Sequence, residues 1–238
     1  MFKGLRADIR SIRERDPAAR SGIEVFLLYS GLHALIYYRI SHRLYLWRLK
    51  FLARWVSQLG KFFTGVEIHP AAKIGRGLFI DHGEGIVIGE TTEIGDYVTL
   101  YQGVTLGGTG KDAGKRHPTI GNNVLIGAGA KVLGPFKVGD GTKIAANAVV
   151  LTELPENVTA VGVPAKIVRV NGMKTGDETG EKPGGASGKS GRDDSSVYER
   201  LLDHIHTPDP VLQEIESLRA QVERLEKMVA AARDTDNN

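Results

Sequence analysis

Aliphatic residues recur at every sixth position through the middle of the chain. Ile68, Ile74, Ile80 and Ile86 hold this spacing, then Ile88, Ile94, Leu100 and Leu106, and then Ile120, Ile126, Val132, Val138, Ile144 and Val150 without a slip. Glycine follows the aliphatic residue at Ile74, Ile88, Ile94, Ile120, Ile126 and Val138. A period of six belongs neither to an α-helix nor to simple strand alternation. It describes a chain that turns a corner after each short strand, so that three hexapeptides close one triangular coil and successive coils stack their aliphatic side chains inside. Small residues suit the corners, where a Cβ would penalise the backbone conformation. A parallel β-helix prism is therefore expected over residues 66–169, on the order of 20 Å tall at about 4.8 Å per coil. Coincidental Ile-Gly pairs in an ordinary β protein would not keep one period through three runs. The period leaves the hand of the prism open, parallel crossovers being right-handed as a rule.

Two irregularities interrupt the repeat. The register slips by two residues between Ile86 and Ile88, and GGTGKDAGKRHP, residues 107–118, is an insertion without an aliphatic step. An extruded loop rich in Gly, Lys, Arg and His is a natural place for a ligand. Before the prism, residues 5–15 and 23–63 read as helices, separated by Asp16-Pro17 and with a further break near Ser41. After it, residues 172–196 are rich in Gly, Ser, Lys and Asp and read as a flexible linker. The last segment spaces Val211, Ile215, Leu218, Val222, Leu225 and Val229 by fours and threes, the pattern of a short coiled coil. The expected division is thus a helical N-terminal domain at 1–64, the β-helix at 65–171, the linker at 172–196 and a C-terminal helix at 197–238.

Composition narrows the function classes. Lys plus Arg total 31 against 28 for Asp plus Glu, a net charge of +3, too balanced to imply nucleic-acid binding. The absence of cysteine excludes disulfides, thiolate-held zinc and a thiol nucleophile. The first residues are charged, without the apolar core of a signal peptide, so the cytoplasm is expected. The longest apolar stretch, residues 25–40, is interrupted by Ser30, His33 and Arg39 and falls short of the roughly 20 residues that span a bilayer. Residues 38–63 combine Arg, Lys and aromatics, as membrane-surface helices do. A helical cap on the prism accounts for them without a membrane.

Within the prism, GVEIHPAAKIGRGLFIDHGEGIVIGE places Glu67, His69, Asp81, His82 and Glu90 around two successive corners. Carboxylate beside imidazole suits acid–base work: a neutral imidazole accepts a proton from an alcohol near neutral pH, and a carboxylate fixes its tautomer. Any one of these histidines alone would more often be a hydrogen-bonded corner residue.

The motifs together resemble the serine O-acetyltransferase family of bacterial cysteine biosynthesis. The resemblance rests on ERDPA at 14–18, GLHALIYYRISHRLY at 31–45, EIHPAAKIG at 67–75, FIDHGEGIVIGET at 79–91, VTLGGTG with KRHP, IGAGAKVLG, and GVPAKIV at 162–168. It implies a left-handed β-helix, a homotrimer of prisms, acetyl-CoA as donor, L-serine as acceptor and L-cysteine as feedback inhibitor, with no metal. Carried over by motif, His82 stands as general base and Glu67 as its orienting carboxylate. Asp16 and Asp81 stand at the serine ammonium, Arg116 at its carboxylate with His117 beside it, presented from a neighbouring subunit, and Glu90 as a further carboxylate at the acceptor site. Gly108 and Thr109 border the coenzyme, with Ala128, Ala146 and Lys166 along its groove. The chemistry agrees, since a zwitterionic substrate needs negative groups for its amine and a guanidinium for its carboxylate.

The helical part is shorter than in members whose extra helices join two trimers, so a trimer is expected rather than a dimer of trimers. The chain ends Asp236-Asn237-Asn238 rather than in an aliphatic residue, so a stable complex with cysteine synthase is not expected. Three other readings compete. An acetyltransferase for a sugar or antibiotic hydroxyl would keep His82 without needing Asp16, Asp81 and Arg116 together. A γ-type carbonic anhydrase needs three histidine ligands, and His69, His82 and His117 lack that spacing. A non-catalytic scaffold would not need His82, Glu67 and KRHP.

Overall fold

A computed structural model describes residues 2–110 and 114–174. The chain divides into two compact units, Met1–Leu201 and Leu202–Asn238, and all described residues belong to the first. The expected C-terminal coiled coil and nearly all of the expected linker lie outside the described residues.

Four helices come first: α1 (Phe2–Arg15), α2 (Gly22–Leu28), α3 (Ser30–Leu46) and α4 (Lys50–Thr64). Ser21 caps α2, its hydroxyl accepting from the Glu24 N–H at 3.1 Å. Gly65 ends α4 in the left-handed conformation at φ 70°, and its N–H returns to the Lys61 carbonyl. No break occurs at Ser41, which is buried within α3 with its hydroxyl on the Tyr38 carbonyl. The helices separate instead at Tyr29 and around Arg48, which takes φ 63°. Packing on the prism chooses these points. Tyr38 donates to the Ala72 carbonyl and Ser57 to the Ile68 carbonyl, so α3 and α4 are each pinned to the first coil.

The strands are short and follow the six-residue step. The first coil holds β1 (Glu67–Ile68), β2 (Lys73–Ile74) and β3 (Phe79–Ile80), and the second β4 (Val87–Ile88), β5 (Glu93–Ile94) and β6 (Thr99–Leu100). The third holds β7 (Thr105–Gly107), β8 (Thr119–Ile120) and β9 (Leu125–Ile126), and the fourth β10 (Lys131–Leu133), β11 (Lys137–Val138) and β12 (Lys143–Ile144). Then come β13 (Val149–Val150), β14 (Val158–Val161), β15 (Lys166–Val170) and β16 (Met173–Lys174). Three faces result: sheet I is β1-β4-β7-β10-β13, sheet II is β2-β5-β8-β11, and sheet III stacks β3, β6, β9, β12 and β14 before β15 and β16. All pairings are parallel until β15 and β16, which return antiparallel and close the top of sheet III.

Inward-facing positions form one apolar column. Ile80, Ile88, Leu100, Leu106, Ile126, Val132, Ile144 and Val150 are each no more than 3% exposed. Burying one such side chain stabilises by about 1.5–3 kcal/mol relative to leaving it in water. The two irregularities keep this column in register by pushing residues outward at corners. Ile68 pairs with Ile88 while Ile88 pairs with Leu106, so the first coil is longer by two residues, taken up between β3 and β4. The insertion leaves between β7 and β8, and Ile94 still pairs with Ile120.

Helix α4 turns small residues inward and large ones outward. On α4 the buried positions are Ala53, Ser57, Gly60 and Thr64, while Phe51, Trp55, Phe62 and Phe63 are exposed. Gly31 on α3 lies directly on β3, where an added Cβ would stand 2.3 Å from the Ile80 carbonyl oxygen. Among the described residues no helix is long and apolar enough to cross a membrane.

Candidate active site

The chemistry-bearing residues gather on two different edges of the prism. On the edge between sheets III and I, the elongated corner after β3 carries Asp81 and His82. His82 takes φ 58° and Gly83 φ 62°, two consecutive left-handed residues that swing the imidazole outward, where its side chain is 76% exposed. For a residue with a Cβ this conformation costs roughly 1–2 kcal/mol. Strain of that kind marks a position held by its surroundings. His82 Nε2 lies 3.8 Å from Asp81 Oδ1.

Helix α1 delivers Asp16 to the same edge. Ser11 donates to the Gly77 carbonyl at 2.9 Å, and the Arg15 guanidinium reaches the Thr99 hydroxyl at 2.9 Å and the Val98 carbonyl, so the last turn of α1 is tied to the first two coils. Farther back, Asp8 pairs with Arg39 and accepts from the Gly77 N–H. Burial raises the Asp8 carboxyl, against the Arg39 charge that holds it down. Asp16 follows directly, with Oδ1 accepting from the Ala18 N–H at 2.8 Å and Oδ2 from the Tyr29 hydroxyl at 2.6 Å. Burial raises the Asp81 carboxyl, and the Asp16 charge adds to this while the imidazole of His82 opposes it. Two carboxylates thus share one field beside an exposed imidazole, an arrangement that stabilises an incoming cation.

Ala128 and Ala146 stand higher on the same edge. The corner turns stack through Gly103 N–H to Glu84 O, Gly129 N–H to Gln102 O and Asn147 N–H to Ala128 O, each at 2.8 Å. The turn before Lys166 rests on this column through Val149 N–H to Gly162 O and Ala165 N–H to Val149 O. Glu67, on β1, accepts from Lys61 at 2.6 Å. Its carboxylate therefore pairs with Lys61 of the cap rather than with His82.

The edge between sheets I and II carries the second group. Here Glu90 pairs with Arg116. Thr91 organises the end of the insertion: its hydroxyl oxygen accepts from the N–H of Arg116 at 3.0 Å and of His117 at 3.1 Å, and its own N–H donates to His117 Nδ1. Lys115 donates to the Thr91 carbonyl at 2.7 Å. Gly108 packs on Arg116, where an added Cβ would lie 2.9 Å from the Arg116 carbonyl oxygen, and Thr109 follows in the same loop. Gly89 is covered by the His117 ring, where a Cβ would stand 2.0 Å from Cδ2. His69 faces the group from the first coil, with Nδ1 accepting from the Ala71 N–H. The sequence reading did not single out Thr91 or Tyr29. The signal for Thr91 is its place directly after Glu90 in GET; for Tyr29 it is a phenol that closes the apolar run VFLLY.

The hydrogen bond from Arg116 holds the Glu90 carboxyl below its usual range. His117 is held below the ordinary 6.5 of a histidine, first by burial and then by the Arg116 charge, while Glu90 pulls the other way. Its Nδ1 is an acceptor, so the neutral ring carries its proton on Nε2. An imidazole titration by NMR is expected to give a His117 midpoint below 6.5, moving lower still in Glu90→Gln. Because the folded value is depressed, the ring's contribution to stability is complete above 6.5 and is lost as the pH falls below it. A midpoint above 6.5 would contradict this environment.

Among the described residues no group of three or more His, Asp or Glu side chains is arranged to hold a metal ion. His82 stands on one edge while His69 and His117 stand on another, which removes the three-histidine arrangement within one chain.

Residues 1–36 match the family described as "Serine acetyltransferase, N-terminal", and residues 117–152 match "Bacterial transferase hexapeptide (six repeats)". A serine acetyltransferase of Staphylococcus aureus (strain Mu50) is 50% identical over 224 residues, 94% of this chain and 94% of that protein. One from Bacillus pumilus is 50% identical over 230 residues, 97% of this chain and 95% of its own length. Among solved structures, Neisseria gonorrhoeae serine acetyltransferase in complex with serine superposes with a TM-score of 0.69 at 45% identity, covering 71% of this chain and 69% of that one. A serine acetyltransferase in complex with cysteine gives 0.70 at 48% identity, covering 71% and 66%. Another in complex with CoA gives 0.67 at 47%, covering 70% and 69%.

Proposed function

The chain belongs to the serine acetyltransferase family, and from that premise we propose that it transfers the acetyl group of acetyl-CoA to the hydroxyl of L-serine. The products are O-acetyl-L-serine, a precursor for cysteine biosynthesis, and free coenzyme A. The prism has the left hand of the family. The observation that carries the reading is the pair of complementary clusters: two carboxylates beside an exposed imidazole on one edge, and a guanidinium held by Glu90 on another. Together they match a zwitterion bearing a hydroxyl.

In this mechanism Asp16 and Asp81 receive the serine ammonium, and Arg116 exchanges Glu90 for the serine carboxylate, with His117 alongside. His82 accepts the hydroxyl proton as the oxygen attacks the thioester carbonyl. Glu67 orients the imidazole once it leaves Lys61. A backbone N–H at Gly108 or Thr109 faces the oxyanion. The tetrahedral intermediate collapses with departure of the coenzyme thiolate, which takes the proton back from His82. No acyl-enzyme intervenes, since the chain has no cysteine and direct transfer needs none. Ala128, Ala146 and Lys166 line the coenzyme along the edge above His82.

Because the two clusters occupy different edges of one prism, a complete site calls for a second copy. A three-fold axis sets one edge of each prism against a different edge of the next, which supports a homotrimer. The exposed aromatic face of α4 adds apolar surface for self-association. We take residues 1–64 as the helical domain and 65–171 as the catalytic prism, working in the cytoplasm with its acetyl-CoA.

Thiol release from acetyl-CoA tests the reading. L-Serine is expected to support release well above L-threonine, a hexose or chloramphenicol. L-Cysteine, with the same ammonium and carboxylate, is expected to compete with serine. Release with the hexose or chloramphenicol but not with serine would overturn the substrate assignment.

A further inference from the structure

We infer that Tyr29 is a positioning residue for the serine ammonium, acting through Asp16, and so a determinant of selectivity for α-amino acceptors; the inference rests on the acetyltransferase reading above. Tyr29 is the single residue between α2 and α3, with an extended backbone at φ −89° and ψ 105°. Nothing local requires a break there, because the residue is neither glycine nor proline and Leu28 and Ser30 on either side are helical. What the break accomplishes is tertiary. It turns the phenol toward Asp16 Oδ2 at 2.6 Å while the ring packs against the cluster of Ile12, Val25, Leu32 and Phe79. Residues of α1, α2, α3 and β3 thus hold the ring that holds the carboxylate.

The Ala18 N–H already occupies Asp16 Oδ1 at 2.8 Å. With the phenol on Oδ2, both oxygens are fixed by neutral donors, and each keeps a lone pair for a ligand. A carboxylate so pinned presents its charge in one orientation, without rotamer entropy to lose on binding. The phenol also answers an electrostatic need. Asp16 and Asp81 share one field, and the Asp16 charge adds to the rise that burial imposes on the Asp81 carboxyl. A hydrogen bond to ionised Asp16 offsets this repulsion. Burial, followed by the bond to Asp16, pushes the Tyr29 hydroxyl far above its ordinary 10, so it remains a donor throughout the working range. The other charged and titratable groups facing this corner are Glu24 on α2, Arg15 on α1, Asp81 and His82 after β3, and Tyr101 after β6.

The test is Tyr29→Phe in the full chain, which keeps the ring in its apolar cluster and removes one hydroxyl. The Michaelis constant for serine is expected to rise ~10-fold, the effect of losing a hydrogen bond to a charged group. Turnover should change less than twofold and the acetyl-CoA constant should not move. In an Asp16→Ala background, removing the hydroxyl should alter the serine constant by less than twofold. A purely structural tyrosine would instead lower turnover and melting temperature in both backgrounds. An unchanged serine constant in Tyr29→Phe, or full additivity with Asp16→Ala, overturns the inference alone. A wild-type chain that releases no thiol with serine overturns it together with the reading it rests on.

Discussion

Turnover with serine is expected to fall by about 10²–10⁴-fold when His82 is replaced by asparagine, the contribution of a positioned general base. The choice of asparagine follows from the backbone. At φ 58° alanine would keep the steric penalty of the left-handed region, while asparagine tolerates that region well and cannot accept a proton at neutral pH. The imidazole is exposed and the corner backbone is bonded independently, through Gly83 N–H to Asp81 O and Glu84 N–H to His82 O. The variant should therefore melt within a few degrees of the wild-type protein and keep its assembly by light scattering. Its constants for serine and acetyl-CoA should stay within a few-fold, because the binding groups are other residues. A His82→Asn protein with near-normal turnover would remove direct general-base catalysis at this corner.

Arg116→Ala carries the second large effect, and it falls on acceptor binding. The guanidinium pairs with Glu90, so in the proposed mechanism serine binding would exchange one carboxylate partner for another. Truncation removes the charge that would receive the substrate carboxylate and leaves Glu90 as an unscreened negative group beside it. A loss of roughly 10- to 100-fold in kcat/KM for serine is expected, the range for a hydrogen bond between charged groups. The loop should keep its course, because Thr91 holds the N–H groups of residues 116 and 117 and Lys115 holds the Thr91 carbonyl. Arg116→Lys should recover only part of the loss, since an ammonium cannot reproduce the fork of a guanidinium. A change confined to the acetyl-CoA constant would move Arg116 out of the acceptor site.

Placing the strongest effects at His82 and Arg116 connects them to the two breaks in the repeat. A six-residue period continues only where each corner has its ordinary length. The corner after β3 is two residues longer and displays His82; the corner after β7 extrudes the loop that ends in Arg116 and His117. Both departures leave the aliphatic column intact, so the outward-facing residues are free to serve chemistry while the interior keeps its packing.

The sequence by itself determined the prism, because pairing in a β-helix repeats at nearly constant chain separation. The spacing of Ile120, Ile126, Val132, Val138, Ile144 and Val150 passes directly into three sheets, with Val132 on Val150 and Ile126 on Ile144. It also exposed the two irregular corners and, through its motifs, the residues assigned to them. Only the tertiary structure decided where the helical cap breaks. Tyr29 and Arg48 depart from helical geometry while Ser41 does not, because contacts with α1 and the first coil outweigh local preference. It also decided the partners: Tyr29 with Asp16, Lys61 with Glu67, Glu90 with Arg116, and the His117 ring over Gly89. Such pairs depend on the angle at which a helix crosses a coil and on the path of an extruded loop. A one-dimensional pattern records neither, since both arise from three-dimensional packing between segments far apart in the chain.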